Sequence, residues 1–332
     1  MRDLHLVPRK PTKTLKFMKA IQITKFGGPE VMQYLDLADP TPGANEVLLD
    51  VTSIGINYAD THQTENSYLS EQTLPMIPGL EVTGVYQGKR YLAPASSGGY
   101  AQKIAANKYA LIEIPNGVSD QQALCMLVQG STAWHILKTV GHVKAGETVV
   151  VHAAAGGVGT IAIQLAKLWG AKVIAVTSSD AKKKLAKDLG ADVVIDADVE
   201  KLKENILAAN GGKPVDLVLE MVGGKTTDIS LDVLAPFGRL IVYGVASRTP
   251  ASVVHPASLM GGSKTITGFW LAHCFGSKEL LNDVIDQLFK LVIEGKLKPV
   301  IGATFPLSQA SAAHKAMLAR ETTGKIALDP AQ

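Results

Sequence analysis

The sequence predicts an α/β protein in two parts, a mostly β unit followed by a doubly wound parallel sheet. Three observations predict it. Residues 18–130 are short apolar-alternating runs broken by Gly and Pro. From Thr148 apolar strands alternate with helix-length segments, and a glycine-rich turn, HAAAGGVG, joins the first such strand to the first such helix. A length of 332 residues fits roughly two domains.

Taken in order, KAIQITKFG, EVLLDVTSIGI, GLEVTGVYQGKRYLAP and GYAQKIAAN are the β runs of the first part. TVVVHA is the first parallel strand, and VGTIAIQLAKLWG is the helix after it, with Gly170 as its C-terminal stop. AKVIAVT and DAKKKLAKDLG repeat the pattern, again ending on Gly. DVVID, VDLVLEMVG and GRLIVYG supply three more strands. Beyond residue 268, SKELLNDVIDQLFKLVIEG reads as a helix leading into a short mixed tail. Order is expected to begin at Met18, after a basic leader over residues 1–17; its composition also allows a transit peptide.

Composition narrows the function classes. Hydrophobic content of 46% with 19% charge is that of a globular chain. The net charge of +3 is a leader effect: Arg2, Arg9, Lys10, Lys13 and Lys16 face only Asp3, and the rest of the chain nets −1. No basic face for nucleic acid is implied. Two cysteines, Cys125 and Cys274, form neither a disulfide framework nor a zinc cluster, and they fit a reducing, cytoplasmic setting. No apolar run has membrane-spanning length, so no membrane partner is expected.

The glycine turn matches the dinucleotide template, with Ala154, Gly156 and Gly159 at its three positions and Gly157 and Val158 between them. Gly156 admits a pyrophosphate to the backbone, Gly159 admits the helix to the strand, and the helix N-terminus favours the negative charge. The end of the second strand selects the cofactor. An NAD site places an acid there for the ribose 2′-hydroxyl. TSSDAKKK instead offers Ser178, Ser179 and Lys182 around a 2′-phosphate, favouring NADPH, and Asp180 there either caps the following helix or is an NAD-type ribose ligand.

HAAAGGVGTIAIQLAKLWGAKVIA, with GINYADTHQ, IPGLEVTGV and GSTAWHIL, resembles the zinc-independent quinone oxidoreductases, zeta-crystallin-like members of the medium-chain dehydrogenase/reductase superfamily. The resemblance covers residues 18–330. It implies a GroES-like catalytic domain over residues 18–131 and 269–332, around a Rossmann NADPH-binding domain over residues 132–268. It further implies a homodimer or homotetramer that reduces a small quinone or enone. Asn57 and Leu80 stand where zinc members carry metal ligands, so no metal is expected. By the same resemblance Asn57 lies beside nicotinamide or substrate, Tyr68 lines the cleft mouth and Thr132 contacts the cofactor near the nicotinamide. Tyr243, Gly244, Val245, Phe269, Trp270 and Leu271 line the cofactor cleft, and Lys325 reaches the phosphates.

The chain departs from the family pattern at three places. His62 replaces a frequent tyrosine and is a proton donor, a neutral pocket wall or an exposed loop residue; Ala197 replaces a tyrosine near the adenine ribose, and the EVTGVYQGKRYLAP hairpin is short. Three readings therefore stand: an NADPH-dependent quinone oxidoreductase, a double-bond reductase of alkenals, enones or enoyl thioesters on the same fold, and a non-catalytic NADPH-binding protein.

Overall fold

The computed structural model of the chain describes residues 15–67 and 69–332; most of the expected leader, and Tyr68, lie outside these. Strand β1 (Phe17–Gln22) starts one residue ahead of the expected Met18 and pairs antiparallel with β2 (Gln33–Ala38). The long β3 (Glu46–Ile56) leads into helix α1 (Tyr58–Glu65). It is followed by β4 (Glu81–Tyr86), β5 (Lys89–Pro94), β6 (Lys103–Asn107) and β7 (Ile112–Glu113). Gln87 (φ 50°) and Gly88 (φ 78°) both take the left-handed conformation that a two-residue hairpin turn needs, which is why β4 and β5 connect so tightly. Helices α2 (Asp120–Cys125) and α3 (Ser131–Trp134) then carry the chain across to the second sheet.

That sheet contains β8 (Thr148–Val151), β9 (Lys172–Thr177), β10 (Val193–Asp196), β11 (Val215–Glu220), β12 (Leu234–Val242) and β13 (Thr265–Gly268). Its order is β10-β9-β8-β11-β12-β13, parallel throughout. The crossovers hold α4 (Gly157–Leu168), α5 (Asp180–Asp188), α6 (Leu202–Ala209) and α7 (Lys225–Asp232). Gly170 (φ 82°) and Gly190 (φ 105°) follow α4 and α5 in the left-handed region, stopping both helices as the sequence predicts. The sixth strand, β13, is an addition to the five expected.

Side-chain alternation explains the layering. Val149 and Val151 pack with α4 on one face of the sheet, while Val150 packs with Leu202 and Ile206 of α6 on the other. Helix α8 (Asp283–Ile293), grouped by sequence with the first unit, buries Ile285, Leu288 and Phe289 in the same apolar cluster as Val149 and α4. The chain then returns through β14 (Ile301–Pro306), α9 (Ala310–Leu318) and β15 (Lys325–Asp329). Strand β15 lies parallel to β14 and antiparallel to β3, completing a seven-stranded sheet around Leu49, Ile54, Val82, Ile326 and Leu328.

A polar network is embedded in that core. Asp60 accepts the Asn57 N–H at 2.8 Å and so fixes the start of α1; Tyr100 Oη donates to the same Asp60 oxygen at 2.8 Å and lies 2.8 Å from His314 Nε2. Burial pulls His314 down to about 4, so its ring is neutral and donates Nε2–H to the tyrosine oxygen. Burial also raises Asp60 from 3.8 to about 7, against the opposing pull of the Asn57 N–H, Tyr100 and Lys325. A carboxyl with a raised folded-state pKa contributes stability in full below its unfolded value, and that stability fades as pH climbs toward 7. Asn keeps the acceptor oxygen and does not titrate. Asp60→Asn should therefore gain on the wild type between pH 5 and pH 8, by on the order of 3 kcal/mol. Urea unfolding at the two pH values measures this; parallel profiles for the two proteins would refute the assignment.

Candidate active site

The carboxyl ends of the parallel strands gather most of the predicted cofactor residues along one sheet edge. After β8 the chain passes through His152 and Ala153, the latter at φ 47°, and enters α4 with Gly156 as an extended N-cap. No side chain caps this helix, so its first N–H groups are left for another acceptor. Gly159 is obligatory, because a Cβ there would sit 2.5 Å from the Ala153 carbonyl oxygen. Ala154 is buried beneath the turn, and Val158 is half-buried in the first turn of α4.

Ser178 and Ser179 are exposed just beyond β9. Ser179, not Asp180, caps α5: its Oγ accepts the Lys182 N–H at 3.4 Å, and Asp180 becomes the first helical residue with its carboxylate in solvent. The extended backbone at Ser179 (φ −141°, ψ 158°) is what a cap requires. Lys182 Nζ donates to the Arg320 carbonyl at 2.5 Å, and partial burial, with the Arg320 charge nearby, lowers its pKa. The Arg320 guanidinium has no hydrogen-bond or ion-pair partner among the described residues. Ala197 is exposed, its N–H bound to the Thr177 carbonyl at 3.1 Å.

Tyr243, Gly244 and Val245 follow β12, and Phe269, Trp270 and Leu271 follow β13. Tyr243 N–H is held by the Glu220 carbonyl at 3.0 Å, and burial, reinforced by the Glu220 charge, pushes its phenol above the ordinary value. Phe269 N–H bonds the Val242 carbonyl at 2.9 Å while its ring stacks on His135, with centroids 5.4 Å apart. Leu271 is buried, and the Trp270 ring stands edge-on to His273.

The family resemblance sends Lys325 to the phosphates; the structure buries it elsewhere. Its ammonium forms an ion pair with Glu81 and donates to Asn57 Oδ1 at 3.0 Å and the Ile56 carbonyl at 3.2 Å, which uses all three N–H groups. Asn57 Nδ2 donates to Glu81 Oε1 at 2.8 Å, so the asparagine amide is clamped between carboxylate and ammonium and can point only one way. The second Glu81 oxygen accepts the Val128 N–H at 3.0 Å. Asn57, Glu81 and Lys325 are each at least 96% buried. Thr132 is buried on α3 one turn beyond Val128.

The two groups meet through the tail. Gly324 N–H donates to the Ala155 carbonyl at 2.9 Å, and Gly324 pairs with Gly156 as an isolated bridge, so the residue before Lys325 is stitched to the glycine turn. A second tie runs from the β12 loop to α1. Arg248 Nε and Nη2 grip both oxygens of Glu65 at 2.9 and 3.0 Å, Nη2 also reaches Thr61 Oγ1 at 2.9 Å, and Nη1 reaches Tyr58 Oη at 3.1 Å. His62 lies half-buried on this helix, with Nδ1 2.9 Å from Ser67 Oγ. Burial, and then the Arg248 charge, lower its pKa, so the ring is neutral at pH 7. Tyr68 lies outside the described residues. Arg248 and Arg320 escape sequence reading as site residues because their partners are far along the chain and neither sits in a motif; Glu81 lies in IPGLEVTGV, but that motif does not show its pairing with Lys325.

Among the described residues no group of three His, Cys, Asp or Glu side chains is placed to hold a metal ion. Leu80 has no donor atom, and Asn57 and Glu81 are already satisfied by a cation from the chain itself, so the residues present do not fit a catalytic zinc.

Residues 157–290 match the family described as zinc-binding dehydrogenase, and residues 43–88 match the alcohol dehydrogenase GroES-like domain. The chain is 33% identical to a quinone oxidoreductase of Pseudomonas aeruginosa over 94% of its length and 99% of the relative's. The human quinone oxidoreductase is 31% identical, matched over 94% of this chain and 98% of its own. The crystal structure of Escherichia coli quinone oxidoreductase complexed with NADPH superposes with a TM-score of 0.88 at 30% identity, covering 94% of this chain and 100% of that one. A mycobacterial protein complexed with NADPH gives a TM-score of 0.88 at 34% identity, with the same coverage of both chains. With the parallel sheet, the glycine turn and the β-rich unit in place, this chain belongs to the quinone oxidoreductase family of the medium-chain dehydrogenase/reductase superfamily.

Proposed function

We propose that this chain is an NADPH-dependent quinone oxidoreductase working without zinc. The observation that carries the cofactor choice lies just beyond β9, where Ser178 and Ser179 are exposed, Lys182 Nζ meets the Arg320 carbonyl with the Arg320 charge nearby, and Asp180 is turned to solvent. Two cations and two hydroxyls suit a 2′-phosphate; of the acids at this end, Asp180 lies in solvent and Asp196 is tied to Lys183. The uncapped start of α4 at Gly156 and Gly157 suits the pyrophosphate.

NADPH, when bound, supplies the hydride. The residues of the chain bind, orient and exclude water. Ala154 and Gly159 let the turn close, and Val158 gives the first turn of α4 an apolar surface. Thr132, Tyr243, Gly244, Val245, Phe269, Trp270 and Leu271 wall the cleft at the strand ends. Asn57, held rigid by Glu81 and Lys325, presents an immobile edge beside the reacting end. Lys325 acts on the site through Asn57 and not on the phosphates. His62, neutral at pH 7, is a wall of the cleft and a poor proton source. This favours a quinone, whose reduced oxygen can take a proton from water, over an activated alkene, which needs one delivered to carbon.

Sheet order supports a homodimer. Strand β13 ends the sheet, leaving an open edge, and Val253 and Met260 just before it are 93% and 78% exposed. Two free, buried cysteines fit a cytoplasmic protein, and no helix among the described residues is long and apolar enough to cross a membrane.

Two outcomes follow. Purified protein should oxidise NADPH much faster than NADH with a small quinone as acceptor, and Lys182→Ala or Arg320→Ala should raise KM for NADPH roughly tenfold while sparing kcat and the NADH rate. Equal rates with the two cofactors would sink the pocket assignment; turnover on enones alone would transfer the chain to the double-bond reductases, and binding without turnover to the non-catalytic class. Sedimentation should give a dimer that Met260→Lys weakens, and a monomeric wild type would count against the β13 edge.

A further inference from the structure

Between α2 and α3 the chain makes one wide π-helical turn, Met126–Gly130, and Gln129 lies in it. The residue is only 8% exposed, and its side-chain carbonyl oxygen is buried with no hydrogen-bond partner. A buried amide oxygen left bare is costly and uncommon, and a π turn often marks a working site.

Where the amide lies narrows its purpose. A Cβ on Gly157, the first residue of α4, would fall 2.0 Å from Gln129 Cδ and 2.1 and 2.2 Å from its Nε2 and Oε1. The side chain is therefore laid flat on the uncapped start of α4, and glycine at 157 is what admits it. Its neighbour Val128 is pinned by Glu81, the same carboxylate that orients Asn57. Gln129 thus bridges the glycine turn and the Asn57 side of the cleft, away from Ser178 and Lys182.

The bare atom is an acceptor, so its partner has to be a donor. A pyrophosphate oxygen cannot serve, and a sugar hydroxyl can. We propose that Gln129 is a cofactor ligand whose amide oxygen accepts a hydroxyl of the ribose on the nicotinamide side of the pyrophosphate. The assignment rests on the dinucleotide reading above and deepens it. The free protein carries an unpaired acceptor, and the bound sugar relieves it.

Gln129→Met keeps the volume and removes both polar atoms, with Gln129→Leu in reserve where Met does not fold. Titration calorimetry on the full chain, with NADPH and with adenosine 2′,5′-bisphosphate, separates the two halves of the cofactor. The variant should bind NADPH roughly five- to tenfold more weakly, bind the bisphosphate as the wild type does, and unfold without ligand at the same temperature or higher. Equal losses for both ligands, a lower unfolding temperature with unchanged affinities, or no change at all would each overturn the assignment. A wild type that binds neither ligand overturns the dinucleotide reading itself, and this proposal with it.

Discussion

The pair of Glu81 and Lys325 is the interaction on which the rest of the molecule depends. Each partner is all but removed from water, and each would be intolerable there alone; removing one member of such a pair typically costs about 3–5 kcal/mol. The cost is contained by complete saturation, since the ammonium has three acceptors and the carboxylate takes an amide and a backbone N–H besides. The contacts draw together β3 and the start of α1, β4, the turn before α3, and β15. Asn57 is fixed as a by-product, and an amide with a single permitted orientation is pre-organised without further help.

Seen from the sequence, the parallel half is legible because local and global signals agree. Val149–Val151, the glycine turn and an apolar helix of the right length each point to the same unit. Strand β13 is not legible: it has four residues, its exposure is mixed, and a 3-10 helix with no buried residue, Pro256–Gly262, stands where an amphipathic crossover helix would have announced it. The cap of α5 falls one residue before the expected Asp180, because the extended backbone at Ser179 turns its Oγ onto the Lys182 N–H. Lys325 is the instructive failure. A basic residue near a phosphate site reads naturally as a phosphate ligand, yet its partner lies 244 positions earlier, and no local pattern carries such a distance. The Arg248–Glu65 contact, spanning 183 positions, is hidden in the same way.

These long-range ties define the cleft more firmly than the strands do. One tie, the Gly324–Ala155 hydrogen bond with its bridge to Gly156, stitches the tail to the glycine turn; the other, Arg248 with Glu65, Thr61 and Tyr58, fastens the loop after β12 to α1. Between them α1 and the glycine turn are held from two sides. The second tie is partly open to solvent, so its ion pair is screened and individually weak. Its strength comes from a bidentate fork that also engages two hydroxyls.

The position of β15 inside its sheet, between β14 and β3, bears on how the protein is made. Strand β3, α1 and β4 leave the ribosome well before the strand that covers β3, and the ammonium that neutralises Glu81 follows it by 244 positions. Until then the nascent β-rich unit holds an acid with nowhere dry to go and an uncovered strand. All six strands of the parallel sheet have emerged by Gly268, so that sheet does not wait for β15. Synthesis from one end and assembly from the middle thus run out of step, and residues 325–329 are the point at which they rejoin.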